Sequence, residues 1–230
     1  MEERNNHEIK NHLYDGQTII ISGLNGMYYP RNLVKEICEA NVNDLTLICF
    51  NNNKVEDNTI ENGDPLAIIK NGQVRKLITS DLGEISESYI DYVDEVEILP
   101  LDILKLKAQA AANRIPDNGG FYVSKEYAST YRDDEYINSH CFKLPNGKEV
   151  VLEAPFEADI SIIATDKFNI ESGNCNWNEG DYNCINVAKT GNICFVEYYK
   201  EDRDSNPYNC QLPGKYIYGY IKSSEDKFNK

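Results

Sequence analysis

An α/β fold, a mainly parallel open sheet with helices on both faces, is predicted by three features of the sequence. First, short and almost continuous apolar runs recur: TIIIS at 18–22, LTLICF at 45–50, VRKLIT at 74–79, EVEIL at 95–99, DISIIA at 159–164 and ICFVEY at 193–198. Runs of that length without polar alternation suit strands covered on both sides. Second, helical stretches lie between them. In RNLVKEICEA the side chains Leu33, Val34, Ile37 and Cys38 share one face, and ILKLKAQAAAN is rich in strong helix formers. Third, the two kinds alternate, which is how a parallel sheet is closed through crossovers. EVVLE at 149–153 and KYIYGYI at 215–221 complete the strand candidates. In KYIYGYI, Tyr216, Tyr218 and Tyr220 alternate with Ile217, Gly219 and Ile221, which predicts one aromatic face on a solvated or docking edge.

At 230 residues the chain is long enough for one α/β domain. The reading is a flexible tail over 1–12, a single domain over 13–222 and a second flexible tail over 223–230. A net charge of −15 and a pI near 4.6 argue against nucleic acid and anionic membrane as partners. No segment approaches the roughly 18 apolar residues of a membrane span, so a cytoplasmic location is expected. The seven cysteines are odd in number and form no C-x-x-C, and Cys49 and Cys194 fall inside strand candidates. They read as reduced, buried thiols. His7, His12 and His140 show no metal-ligand spacing, and no metal is expected.

Two stretches interrupt the pattern. Pro116, Asp117, Asn118, Gly119 and Gly120 read as a turn, and the polar, tyrosine-rich region from Lys125 to Gly147 reads as a loop or hairpin excursion. Ligands of parallel sheets sit beyond the carboxyl ends of the strands, which selects the loops after TIIIS, LTLIC, EVEIL and DISIIA. After TIIIS, Gly23 and Gly26 allow close backbone approach, and Pro30 opens a helix whose first N–H groups are free to donate. The loop lacks the Lys-Ser/Thr of a P-loop and the third glycine of a dinucleotide fingerprint. Asp166 is the one well-placed loop carboxylate and reads as a solvated turn residue.

DGQTIIISGLNGMYYPRNLVKEI with VNDLTLIC, NGDPLAIIKNGQVRKLITS, VEILP, RIP, GKEVVLEAPFEADISIIAT, Gly173-Asn174 and LPGKYI follow one another in a fixed order. In that order the chain, over about residues 15–222, resembles the alpha subunit of the two-subunit, family I coenzyme A transferases of the acetate and 3-oxoacid type. The resemblance implies the coenzyme A transferase (sugar isomerase-like) fold, a beta-subunit partner, an acyl-CoA and a short carboxylic acid as substrates, and no permanently bound cofactor. It also implies ping-pong catalysis through a glutamate that belongs to the beta subunit. Glu61, in the sequence Ile60-Glu61-Asn62-Gly63, imitates the beta subunit's E-N-G. Yet Asn62, Gly63 and Asp64 match the alpha subunit's N-G-D, with Asp64 as a helix cap, so no catalytic residue is assigned to this chain.

The departures concentrate where the family frames its site. Its G-G-F-x-G-x-G-x-P loop becomes Ser22, Gly23, Leu24, Asn25 and Gly26, with Tyr28 and Tyr29 at positions usually small. Its P-Q-G-[TN]-L-A-E-R, whose glutamine amide donates near the thioester carbonyl, becomes Pro100, Leu101, Asp102 and onward to Leu106 and Lys107. Phe50 replaces a polar Asn. Ser22, Gly23, Leu24, Asn25 and Gly26 are expected to face CoA and substrate, and Leu101 and Asp102 to line the oxyanion position. Two histories fit: a working, divergent alpha subunit in which Asn25, Ser22 or a partner residue supplies the lost hydrogen bond, or a catalytically altered paralogue that keeps the fold as a binding or structural partner. An acidic docking domain with a tyrosine-rich surface and a sugar-phosphate isomerase of related fold are the readings from other classes.

Overall fold

Alternate residues of a strand face opposite sides of a sheet, and here that alternation builds two cores. The computed structural model describes residues 8–23, 28–50, 65–80, 91–113, 119–177, 182–202 and 210–223. Within these the chain runs through a 3-10 turn at Ile9–His12, β1 (Thr18–Ile21), α1 (Arg31–Glu39), β2 (Leu45–Cys49), α2 (Leu66–Lys70), β3 (Val74–Thr79), β4 (Glu95–Ile98) and α3 (Leu101–Ala112). Then come β5 (Phe121–Ser124), α4 (Lys125–Ala128), α5 (Asp134–His140), β6 (Cys141–Lys143), β7 (Glu149–Glu153), β8 (Ala158–Phe168) and β9 (Cys175–Asn176). α6 (Tyr182–Thr190), β10 (Gly191–Glu201), a 3-10 turn at Gly214–Tyr216 and β11 (Gly219–Lys222) close the chain.

The main sheet has the order β11-β10-β8-β1-β2-β3-β4, and each pairing along that path is parallel. Only β9 is antiparallel, laid on the end of β8. Ile19, Ile21, Leu47 and Cys49 pack with Leu33, Val34 and Ile37 of α1 and with Leu66–Ile69 of α2. Ile20, Ile48 and Ile78 meet Ile103, Leu104 and Ala108 of α3 and Val187 and Ala188 of α6 on the other face. The sheet is thus parallel and doubly covered, as the sequence predicts. A second, antiparallel sheet of order β5-β7-β6 stands apart from it.

Several expectations are corrected. Residues 9–12 are not a tail end: they form a 3-10 turn, and Ile9 is 1% exposed within the core of α1 and α2. The region from Lys125 to Gly147 is ordered as α4, α5 and β6 around a small core of Ala128, Ile137 and Val151. EVVLE forms the centre of the small sheet rather than a strand of the main one. KYIYGYI is not one strand, because after Pro213 a 3-10 turn takes residues 214–216 and only Gly219–Lys222 pairs with β10. Of the turn at 116–120, residues 116–118 lie outside the described residues, as do Glu61, Asn62, Gly63 and Asp64.

All seven cysteines are thiols; Cys49, Cys175, Cys184 and Cys194 are buried, and Cys38, Cys141 and Cys210 are half-buried. Burial pushes the Cys194 thiol up to about 12 and the Cys38 thiol to about 11. Since the thiolate is the reactive form, a water-soluble alkylating reagent at neutral pH should modify Cys141 and Cys210 first and Cys38 slowly. The four buried thiols should react only after denaturation, a ranking that mass spectrometry of timed samples reads directly.

Candidate active site

Strand order reverses at β1. The chain builds β2, β3 and β4 outward on one side and returns to place β8, β10 and β11 on the other. The carboxyl ends of the strands flanking such a reversal border a ligand crevice, and Ser22, Gly23, Tyr28 and Asp166 meet there. The Ser22 hydroxyl, fully buried, donates to the Tyr28 carbonyl at 3.0 Å and accepts from the Ala164 N–H at 3.2 Å. The Tyr28 hydroxyl donates to Asp166 Oδ2 at 2.9 Å. Tyr28 holds a left-handed φ of 55°, a strained conformation for an aromatic residue that these two bonds fix in place. Asp166 is therefore not a solvated turn residue: it is 6% exposed and lies inside β8. Gly23 has φ 119°, and a Cβ there would fall 2.1 Å from the Tyr29 ring, so the close approach that glycine permits is taken by Tyr29. Leu24, Asn25 and Gly26 lie outside the described residues.

The start of α1 is not an open anion site. Each of its first N–H groups has a partner within the protein: Arg31 on the Tyr29 carbonyl, Val34 on the Pro30 carbonyl, and Asn32 and Leu33 on Glu197 Oε2 at 2.7 and 3.3 Å. Glu197 comes from the middle of β10 and is fully buried. A carboxylate on a helix N-terminus satisfies both the orphan donors and the dipole. The expectation of free donors at Pro30 is corrected accordingly. The available signal was the glutamate inside the apolar run ICFVEYY, because a buried carboxylate must find donors.

Leu101 and Asp102 open α3 at the carboxyl end of β4, on the same edge as Ser22 but three strand spacings away, roughly 14 Å. The described members of the two predicted groups, Ser22 and Gly23 on one side and Leu101 and Asp102 on the other, share an edge three strands apart. Leu101 packs half-buried against the core. Asp102 Oδ1 accepts from the Ile103 N–H at 3.0 Å, and the Tyr127 hydroxyl lies 2.8 Å from both carboxylate oxygens. Desolvation and the Asp102 carboxylate raise the Tyr127 pKa and keep its proton in that bond. The α3 N-terminus thus carries its own anion.

Behind α3 lies a charged cluster that the sequence did not reveal. Glu153, fully buried at the end of β7, receives the Arg132 fork at 2.9 and 2.7 Å, Lys107 Nζ of α3 at 3.2 Å and the hydroxyls of Tyr131 and Tyr136 at 3.2 and 3.3 Å. Arg132 also donates to Glu97 of β4 at 2.7 Å. The cluster joins the small sheet to the last strand and the third helix of the main layer. Burial pushes the Glu153 and Glu97 carboxyls up, but Arg132 with Lys107 for the first, and Arg132 with Lys76 for the second, outweigh it and hold both below the ordinary range. A carboxyl depressed in the folded state stabilises above its unfolded pKa of about 4.3 and loses that contribution as pH falls through the folded value. In thermal melts the gap in Tm between the wild-type chain and Glu153→Gln should be constant from pH 7 to about pH 5 and shrink below about pH 4.

Among the described residues no group of three or more His, Cys, Asp or Glu could hold a metal ion, and no helix is long and apolar enough to cross a membrane. The chain is 28% identical over 220 residues to the acetate CoA-transferase subunit alpha of Escherichia coli K12, an alignment covering 93% of each. In fold it is similar to a variant of the decarboxylase AibA/AibB, with TM-score 0.71, 15% identity and coverage of 94% of this chain and 80% of that one. It is also similar to the acyl-CoA transferase YdiF of Escherichia coli O157:H7, with TM-score 0.72 and 14% identity over 96% of this chain but 50% of that one. The profile described as Coenzyme A transferase matches residues 3–206, nearly the whole span on which the sheet, the crevice and the small sheet are built, and on that match the chain belongs to the coenzyme A transferase family.

Proposed function

We propose that this chain is the alpha-type half of a cytoplasmic two-subunit enzyme that moves CoA from a short acyl-CoA, such as acetoacetyl-CoA, to a carboxylic acid, and that the nucleophilic glutamate resides on a beta-type partner. The observation that carries the proposal is the end-to-end match to an acetate CoA-transferase subunit alpha over 93% of both chains. The partner's carboxylate attacks the thioester carbonyl and expels CoA thiolate, leaving a mixed anhydride. The thiolate returns to the glutamyl carbonyl and releases the donor's acid; the acceptor carboxylate then attacks the glutamyl-CoA thioester and expels the thiolate to leave a second mixed anhydride, and the thiolate attacks the acceptor's acyl carbonyl to give the new acyl-CoA and the free glutamate. CoA enters as a substrate thioester, and no group is bound permanently.

This chain frames the reaction. Gly23, Asn25 and Gly26 offer backbone N–H groups to the acyl-CoA, while Leu101 and Asp102 line the oxyanion position without supplying a donor. A serine has one hydroxyl proton, and that of Ser22 is spent on Tyr28. The donor that replaces the family's glutamine therefore comes from Asn25 or from the partner. CoA transfer from acetoacetyl-CoA to acetate should occur when the chain and its partner are mixed and be absent with either alone. A stable complex without transfer to any of several acids would overturn the proposal.

A further inference from the structure

A second concavity lies at the end of the sheet opposite the crevice. A cleft of about 470 Å³ opens at the amino ends of β1, β8 and β10, with Thr18, Phe156, Glu157, Asp159 and Lys189 in its lining. That volume is within the range of small-molecule sites. Asp159 of the cleft and Asp166 of the crevice stand toward opposite ends of β8, roughly 23 Å apart at about 3.3 Å per residue. The two concavities are therefore separate.

The charges around the cleft are not consumed within the fold. Lys189, in the last turn of α6, has no carboxylate within ion-pair distance among the described residues. Its ammonium stands 5.2 Å from the centre of the Tyr216 ring, and that of Lys215 lies 5.0 Å from the same ring. Glu157 is exposed and has neither a hydrogen bond nor an ion pair among the described residues. Asp159 is half-buried and spends Oδ2 on the Thr18 N–H at 2.9 Å, which leaves Oδ1 able to accept. Glu157 and Asp159 are two residues apart on extended chain and so share a side. Opposite charges thus border one cleft without closing on each other, and a ligand between them meets both.

The pattern selects the ligand by charge. A simple anion would face two carboxylates, and a simple amine would face Lys189. Among the described residues no group of acidic, His or Cys side chains is suited to a metal ion. A molecule with two ammonium groups and one carboxylate complements all three side chains, and Ala111 and Phe156 give its methylene chain an apolar wall. We propose that this cleft binds a small diamino monocarboxylic acid, a molecule of the lysine class, with its carboxylate on Lys189 and its ammonium groups on Glu157 and Asp159.

Isothermal titration calorimetry of the full chain at pH 7 with L-lysine, norleucine and cadaverine tests this. Norleucine lacks the side-chain ammonium and cadaverine lacks the carboxylate, and each should bind about fivefold or more weakly than lysine. Glu157→Gln should erase the advantage of lysine over norleucine, and Lys189→Gln its advantage over cadaverine. Lys143→Gln, on the exposed edge of β6, should change neither, and an unaltered Tm in all three variants would exclude lost folding. No heat of binding with millimolar lysine, equal affinity for the three ligands, or a lysine affinity unaffected by both cleft substitutions would overturn the proposal. The comparison of ligands on the wild-type chain needs neither a variant nor a partner subunit, so its outcome is independent of the two-subunit reading.

Discussion

Replacing Arg132 with methionine should lower stability by about 3–5 kcal/mol, because it strands carboxylates that the fold has already taken out of water. The Arg132 side chain is 10% exposed, Glu153 is fully buried and Glu97 is 25% exposed. Their desolvation is offset in the native chain by the bidentate fork on Glu153 and the single bond to Glu97. Lys107 alone cannot replace the fork, since burial holds its own pKa down. In a chain of 230 residues a loss of that size should appear as a fall in Tm of roughly 10 °C. Arg132→Lys keeps the charge without the planar fork and should fall between wild type and Arg132→Met.

Glu197→Ala should cost about 2–4 kcal/mol through a different route. It leaves the Asn32 and Leu33 N–H groups without their acceptor and opens a cavity between β10 and the start of α1. Glu197→Gln keeps an oxygen at the same place and should cost only about 1 kcal/mol, losing the charge that favours a helix N-terminus. Urea denaturation at pH 7 separates the two variants. The order matters for function as well, because α1 begins where the crevice loop ends, and a frayed α1 releases Tyr28 and Tyr29.

The main sheet was legible because its strands are continuous apolar runs whose faces need no pattern to be recognised as buried. The apolar run of β8 ends at Ala164, where Thr165-Asp166-Lys167 begins. Pairing with β10 nonetheless continues to Phe168, and the polar side chains are accommodated by specific partners, Thr165 on the Lys167 and Asn176 carbonyls and Asp166 on Tyr28. The small sheet was hidden for a related reason. Helices of four and seven residues carry one buried residue each, Ala128 and Ile137, too few to establish a period. Within the site, the position of the crevice followed from strand order alone. Its wiring did not, because Glu197 meets Asn32 across 165 positions and Tyr28 meets Asp166 across 138. No local pattern encodes such pairs.

The most direct test of the account is to locate the covalent intermediate. The complex of this chain with its beta-type partner would be incubated with acetoacetyl-CoA, quenched, and both chains analysed by intact-mass and peptide mass spectrometry. A glutamyl-CoA thioester should form on a single glutamate of the partner and none on this chain. A thioester on Glu61, or on any other carboxylate of this chain, would contradict that.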